Sequence, residues 1–109
     1  MSQKAWHYGI TPTYTAVDRL IVTGRVYVWG YMFDATADGG AVSLYDGQDT
    51  VTGQLKCHTT GWATDPNTVM FGVPVCFERG IYADLGANVS DLTVLWSHNE
   101  PTVEELTSE

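Results

Sequence analysis

The chain is short of charge. Only 17% of its 109 residues are Asp, Glu, Lys or Arg, against roughly 25% in an average soluble domain. Basic residues are the scarcest: five Lys and Arg stand against thirteen Asp and Glu, a formal net charge of −8. Such a polyanion repels phosphate backbones and anionic bilayers, so neither a nucleic acid nor a membrane is expected as a partner. Long apolar runs are missing as well. No stretch approaches the ~18–20 consecutive apolar residues of a membrane-spanning helix. The opening Met-Ser-Gln-Lys-Ala-Trp-His-Tyr carries one Lys and no apolar segment, so a secretory leader is not expected there. The chain is then expected to stay in the compartment of its synthesis or to leave by lysis.

Cysteine is nearly absent. Cys57 and Cys76 are too few for a disulfide framework and stand in strand-like segments beside apolar residues, where free thiols behave as small hydrophobes. A single disulfide between them stays open. There is no C-x-x-C and no H-x₃₋₅-H, so no zinc site is expected. His7, His58 and His98 lie far apart in sequence. Cys57 and His58 are adjacent, but neighbours on a strand point to opposite faces and cannot act as a thiol–base pair. Asp34, Thr36, Asp38 and Gly39 match the start of a calcium loop, yet the twelfth position is Tyr45 rather than Glu and the EF-hand match fails, which leaves a polar hairpin loop or, less favoured, an irregular oxygen-rich calcium loop. Asp46, Asp49, Asp65, Glu78, Asp84 and Asp91 stand beside Gly, Pro or strand ends, where turn chemistry alone places them. No catalytic residue, no cofactor and no metal are therefore expected.

What the chain does have is β-forming residues. Thr (14) and Val (12) are the commonest, and both favour strands. No window holds a 3.6-residue period. Short strand-like runs recur every 8–12 residues between Gly, Asp, Asn and Pro, the pattern of a sandwich or small barrel. The runs are 16–23, 25–33, 42–45, 54–60, 69–77, 81–85 and 91–97. In the fourth, Leu55 and Cys57 are expected inward, with Lys56 and His58 outward. The fifth alternates Val69, Phe71, Val73, Val75 and Phe77. Pro74 inside it demands an edge strand, a bulge or a bend. The expected fold is an all-β antiparallel sandwich, jelly-roll-like or Ig-like, with seven or eight strands. The expected divisions are an N-terminal arm at 1–16, the sandwich at 17–97 and an acidic tail at 98–109.

The run 25–33 is unusual. Tyr27, Trp29, Tyr31 and Phe33 alternate onto one face, and Val26, Val28 and Met32 onto the other. A strand apolar on both faces must be covered on both, so the aromatic row is expected against another segment of this chain or against another subunit. Trp6 and Tyr8 mark the arm as a docking segment. Trp62, in the loop Thr60-Gly61-Trp62-Ala63, can be a binding platform, a wedge between subunits or a cap on the core.

The runs Val42-Ser-Leu-Tyr-Asp-Gly47, Phe77-Glu-Arg-Gly-Ile-Tyr-Ala83 and Asp91-Leu-Thr-Val-Leu-Trp96 resemble those of small virion proteins of tailed bacteriophages, over about residues 17 to 96. The resemblance lies in hydrophobic and turn positions rather than in a catalytic motif. It implies a β-sandwich component of the particle. The expected function is a non-enzymatic capsid decoration (cement) protein, located in the virion and probed first at Trp6, Tyr8, Tyr27, Trp29, Tyr31, Phe33 and Trp62. Its partners would be the major capsid protein or other virion subunits, and sister copies in a homotrimer. The alternative is a carbohydrate-binding or receptor-contacting module of a phage fibre or tail, since exposed Trp and Tyr stack on sugars.

Overall fold

The computed structural model describes residues 9–64 and 66–98. Among them are eight strands and no helix: β1 (Thr11–Thr15), β2 (Arg19–Thr23), β3 (Val26–Ala35), β4 (Gly40–Asp46), β5 (Gln54–Gly61), β6 (Asn67–Phe77), β7 (Gly80–Leu85) and β8 (Val89–Ser97). They form two four-stranded antiparallel sheets. Sheet A has the order β1-β8-β3-β6, and sheet B the order β2-β7-β4-β5. All but one of the connections cross from one sheet to the other, which gives the double Greek key of a jelly roll. The jelly-roll form of the expected sandwich is the one adopted.

The two sheets close on one core. Val26, Val28, Tyr31, Phe33, Leu92 and Val94 come from sheet A with Phe77; Val42, Leu44, Cys57, Ile81 and Ala83 come from sheet B. Each fully buried large apolar side chain of this kind contributes about 1.5–3 kcal/mol. Alternation along β4 follows the period of two without a break, and in β7 Ile81 and Ala83 are buried on either side of a half-buried Tyr82.

In β3, β5 and β6 the period breaks at a bulge. In β3 the register slips between Val28 and Gly30 against both neighbours. Trp29 is the extra residue against β8. A bulge adds one residue and so reverses which side later residues face. Val26 and Val28 therefore point inward before it, and Tyr31 and Phe33 point inward after it. The four aromatics do not share a face: Tyr31 and Phe33 join the core between the sheets, whereas Tyr27 and Trp29 do not. This corrects the single aromatic row expected from sequence.

The edge strand β6 bulges opposite the same point. Val75 pairs with Val28 but Met70 pairs with Gly30, so residues 71–74 loop out of the ladder. Pro74 sits in that stretch, where its missing N–H costs no ladder bond. Val73 is thereby thrown outward and is 81% exposed, against its expected place beside Val69, Phe71, Val75 and Phe77. In β5 the register slips between the partners of Leu44 and Tyr45, at Lys56. Leu55 consequently pairs with Tyr45 and lies exposed, while Cys57 stays in the core. The expected inward Leu55 is corrected for the same reason.

Part of the stretch read as an arm, Thr11–Thr15, is strand β1 on the edge of sheet A, paired with β8 from Trp96 to Leu92. The ladder is reinforced by the Trp96 indole N–H donating to Thr13 Oγ1 at 2.9 Å. The tail from 99 onward lies outside the described residues.

Candidate functional site

The outer face of sheet A is built from the residues left over by the bulges. Three cross-strand rows can be followed. Tyr14, Thr93, Met32 and Thr68 are successive register partners across the four strands. So are Pro12, Leu95, Gly30 and Met70. Ser97, Tyr27 and Cys76 form a third row. Trp29, on the bulge, stands between the last two and donates its indole N–H to Ser97 Oγ at 2.8 Å.

The middle of this face is apolar and open. Tyr14 is 60% exposed, Met70 59% and Met32 39%. Gly30 is required under Met70: a Cβ there would come within 2.7 Å of the Met70 sulfur and 2.5 Å of the Val69 carbonyl. The Met70 side chain thus lies flat across the strand instead of standing off it.

Charge is confined to the two ends of the face. At one end Asp34 and Asp91 are direct partners on β3 and β8. Partial burial, then the proximity and hydrogen bonding of Asp34, push the Asp91 carboxyl above the usual range, while the Tyr14 hydroxyl bonded to it pulls the other way. Beside this pair is an open cleft of about 270 Å³, lined among others by Tyr14, Met32, Asn67, Thr68 and Thr93. At the opposite end the Arg25 guanidinium lies over the Tyr27 ring, 5.8 Å from its centroid, and its Nε is 3.6 Å from Glu78 Oε1.

The remaining sequence candidates are dispersed. Trp6 and Tyr8 lie outside the described residues. Trp62 is 55% exposed on the β5–β6 loop, at the Asp34–Asp91 end of the molecule. Asn67 clamps this loop by accepting from the Trp62 N–H at 3.1 Å and donating to the Trp62 carbonyl at 3.0 Å. Asp38 accepts from the Ala63 N–H at 3.0 Å. The calcium-like stretch is therefore split: Asp38 holds the Trp62 loop while Asp34 belongs to the sheet A face. Among the described residues, no group of three or more His, Cys, Asp or Glu side chains is placed to hold a metal.

The outer face of sheet B carries a second polar cluster. Ser43 Oγ and His58 Nδ1 are 2.8 Å apart, and Asp84 is the partner of Ser43 on its other side. A nucleophile–base–acid relay needs the imidazole between hydroxyl and carboxylate. Here the serine is in the middle, so the row lacks that order. Cys57 points into the core and His58 outward, as adjacent strand residues must. Both cysteines are free thiols.

Sequence reasoning missed Tyr14, Met32 and Met70 as exposed residues of one face. A signal existed for two of them. Tyr14 alternates against Thr11, Thr13 and Thr15, and Met70 alternates against Val69 and Phe71, so each had to face away from its neighbours. Comparison with protein-family models, curated proteins and solved structures returns no match for this chain.

Proposed function

We propose that the protein is a virion structural subunit of the capsid-decoration kind, working by contact and not by catalysis. The observation that carries this reading is the outer face of sheet A. Its four strands present Tyr14, Met32 and Met70 to solvent with Leu95 half-buried among them, and the charged residues stand at the margins. Contiguous exposed apolar surface of this kind marks protein contact sites. A surface so poor in Lys and Glu matches the composition of interface cores. Attachment to the shell, through the major capsid protein or another virion subunit, is assigned to the end of the sandwich that carries Trp62. Trp62 is tied to Asn67 and Ala63 to Asp38 there, and exposed aromatics are enriched among the anchors of interfaces.

The test is the composition of purified particles of the virus that carries this gene. Mass spectrometry with copy-number quantification should find the chain at a fixed stoichiometry to the major capsid protein. Its absence from intact particles would end the proposal. A glycan-binding module of a fibre or tail is the second reading, favoured by the same clamped, exposed Trp62. Glycan-array binding that vanishes in Trp62→Ala would replace the first reading with the second.

A further inference from the structure

We infer that the outer face of sheet A is covered by a second copy of this chain, in an antiparallel two-fold dimer. This rests on the reading of the protein as a contact subunit and adds which partner occupies this face.

The argument is the self-complementarity of the face. Arg25 and the Asp34–Asp91 pair stand at opposite ends of β3, about 26 Å apart along an extended strand. Midway between them are Trp29 and Gly30, with Met70 lying over Gly30. Consider a two-fold axis that lies between two such faces and crosses the strands at Gly30. It lays Met70 and Leu95 of one copy against the same residues of the other, and sets Met32 across from Tyr27. It also places Arg25 of each copy over Asp34 and Asp91 of its partner. Two-fold interfaces must pair a patch with itself, and this patch is apolar at its centre, with the Arg25–Glu78 pair at one end and two carboxyls at the other.

Each end gains from the pairing. Asp34 and Asp91 face each other as like charges on adjacent strands, an arrangement that is unfavourable in isolation. Arg25 is solvent-exposed, and its guanidinium is shared among Cys76, Glu78 and the Tyr27 ring. A guanidinium over the carboxyl pair relieves the repulsion. The net charge of −8 opposes association in general. Among the described residues, the acids on or beside this face are Asp34, Asp91 and Glu78, and one Arg25 at each junction offsets part of their charge.

The area sets the strength. Four strands at ~4.8 Å spacing and about 22 Å of strand length give about 400 Å² of projected surface per copy. That is about half of the roughly 800 Å² per partner that is standard for a stable interface, and falls in the range of weak, transient contacts. The dimer is therefore weak and reversible.

Sedimentation velocity of the full chain from about 1 to about 500 µM tests this. The expected result is a monomer–dimer equilibrium. Met70→Glu should raise the dissociation constant about tenfold or more by placing a charge at the centre. Val51→Ser, on an exposed loop away from the face, should leave it unchanged. Arg25→Glu and Asp91→Lys should each weaken the homodimer. A one-to-one mixture of the two should restore a heterodimer, because both charged junctions are then of opposite sign. Circular dichroism checks that each variant is folded. Arg25→Glu and Asp91→Lys change exposed or half-exposed positions, so the mixing experiment decides the matter even if Met70→Glu does not fold. A strictly monomeric chain, a trimer, a dimer insensitive to Met70→Glu, or single variants that fail to rescue each other would overturn the inference. Incorporation of a monomeric Met70→Glu variant into particles would keep the proposed function and remove Met70 contacts from it. A wild-type dimer that never enters particles would do the reverse.

Discussion

The Asp46 carboxylate accepts the backbone N–H of Arg79 at 2.7 Å, and the Arg79 guanidinium donates back to the Asp46 carbonyl at 3.0 Å. The same carboxylate takes the Glu78 N–H at 3.0 Å, and the same guanidinium reaches the Thr52 carbonyl at 3.1 Å. Two residues thus tie the β4–β5 loop to the β6–β7 turn. Asp46 is 4% exposed, so nothing else stands ready to satisfy those N–H groups.

Removing it should be expensive. Asp46→Ala leaves two backbone donors without an acceptor, at about 1–3 kcal/mol each. We expect a loss of about 3 kcal/mol in urea unfolding, with a fall in melting temperature of about 10–20 °C. Asp46→Asn keeps one acceptor oxygen and should cost less than half as much.

The bulge at Trp29 should be indispensable as a residue count, not as an indole. Deleting Trp29 restores a regular period of two in β3. Either Val26 and Val28 or Tyr31 and Phe33 must then leave the core. Losing two large side chains costs about 3–5 kcal/mol each, comparable to the whole stability of a domain, about 5–15 kcal/mol. The deletion variant should be unfolded by circular dichroism. Trp29→Phe keeps the count, loses the bond to Ser97, and should cost about 1 kcal/mol.

The two thiols should differ in reactivity. Burial pushes the Cys57 thiol up from 9.0 to about 11, so it holds no reactive thiolate near neutral pH. Cys76 is half-buried on the outer side of β6. Alkylation of the native protein at about pH 7.5 should label Cys76 and spare Cys57, as read by peptide mapping. The folded chain also holds the Cys57 proton through a range where the unfolded chain has released it. Stability should therefore fall as pH rises from about 9 through about 11, and fall less in Cys57→Ala.

The carboxyl pair should act in the acid range with the corresponding sign. Asp91 is raised above the usual 3.8 by burial and by Asp34. Its stabilising state is the protonated one, present below the ordinary carboxylate range and lost as pH rises through the raised value. At concentrations where the chain is monomeric, Asp91→Asn should raise the melting temperature near pH 7 by about 2 °C. Near pH 3 the variant and the wild type should melt together.

Strands are readable in the sequence because the period of two survives locally. Val42, Leu44, Ile81 and Ala83 show it unbroken, and all four are core. Single-residue insertion is what hides the facing of side chains. Trp29 and Lys56 look like ordinary members of alternating runs, yet each reverses the facing of its downstream neighbours. The aromatic row and Leu55 depart from expectation for that one reason. Propensity carries no trace of a bulge, which is a relation between two strands and not a property of either. Pro74 is the exception, because a missing N–H announces an irregular edge by itself.

By itself the amino-acid sequence determined that this chain is all-β, because its Thr, Val and turn residues alternate at a period of two and never at 3.6. It also determined that charge is sparse and acidic. Only the tertiary structure decided where the uncovered apolar surface lies. The strand at 26–33 does supply two buried faces' worth of side chains, but the bulge sends Tyr31 and Phe33 inward and leaves Met32, beside Met70 and Tyr14, outside. Those three come from β3, β6 and β1, and pairing across sheet A is what brings them onto one face.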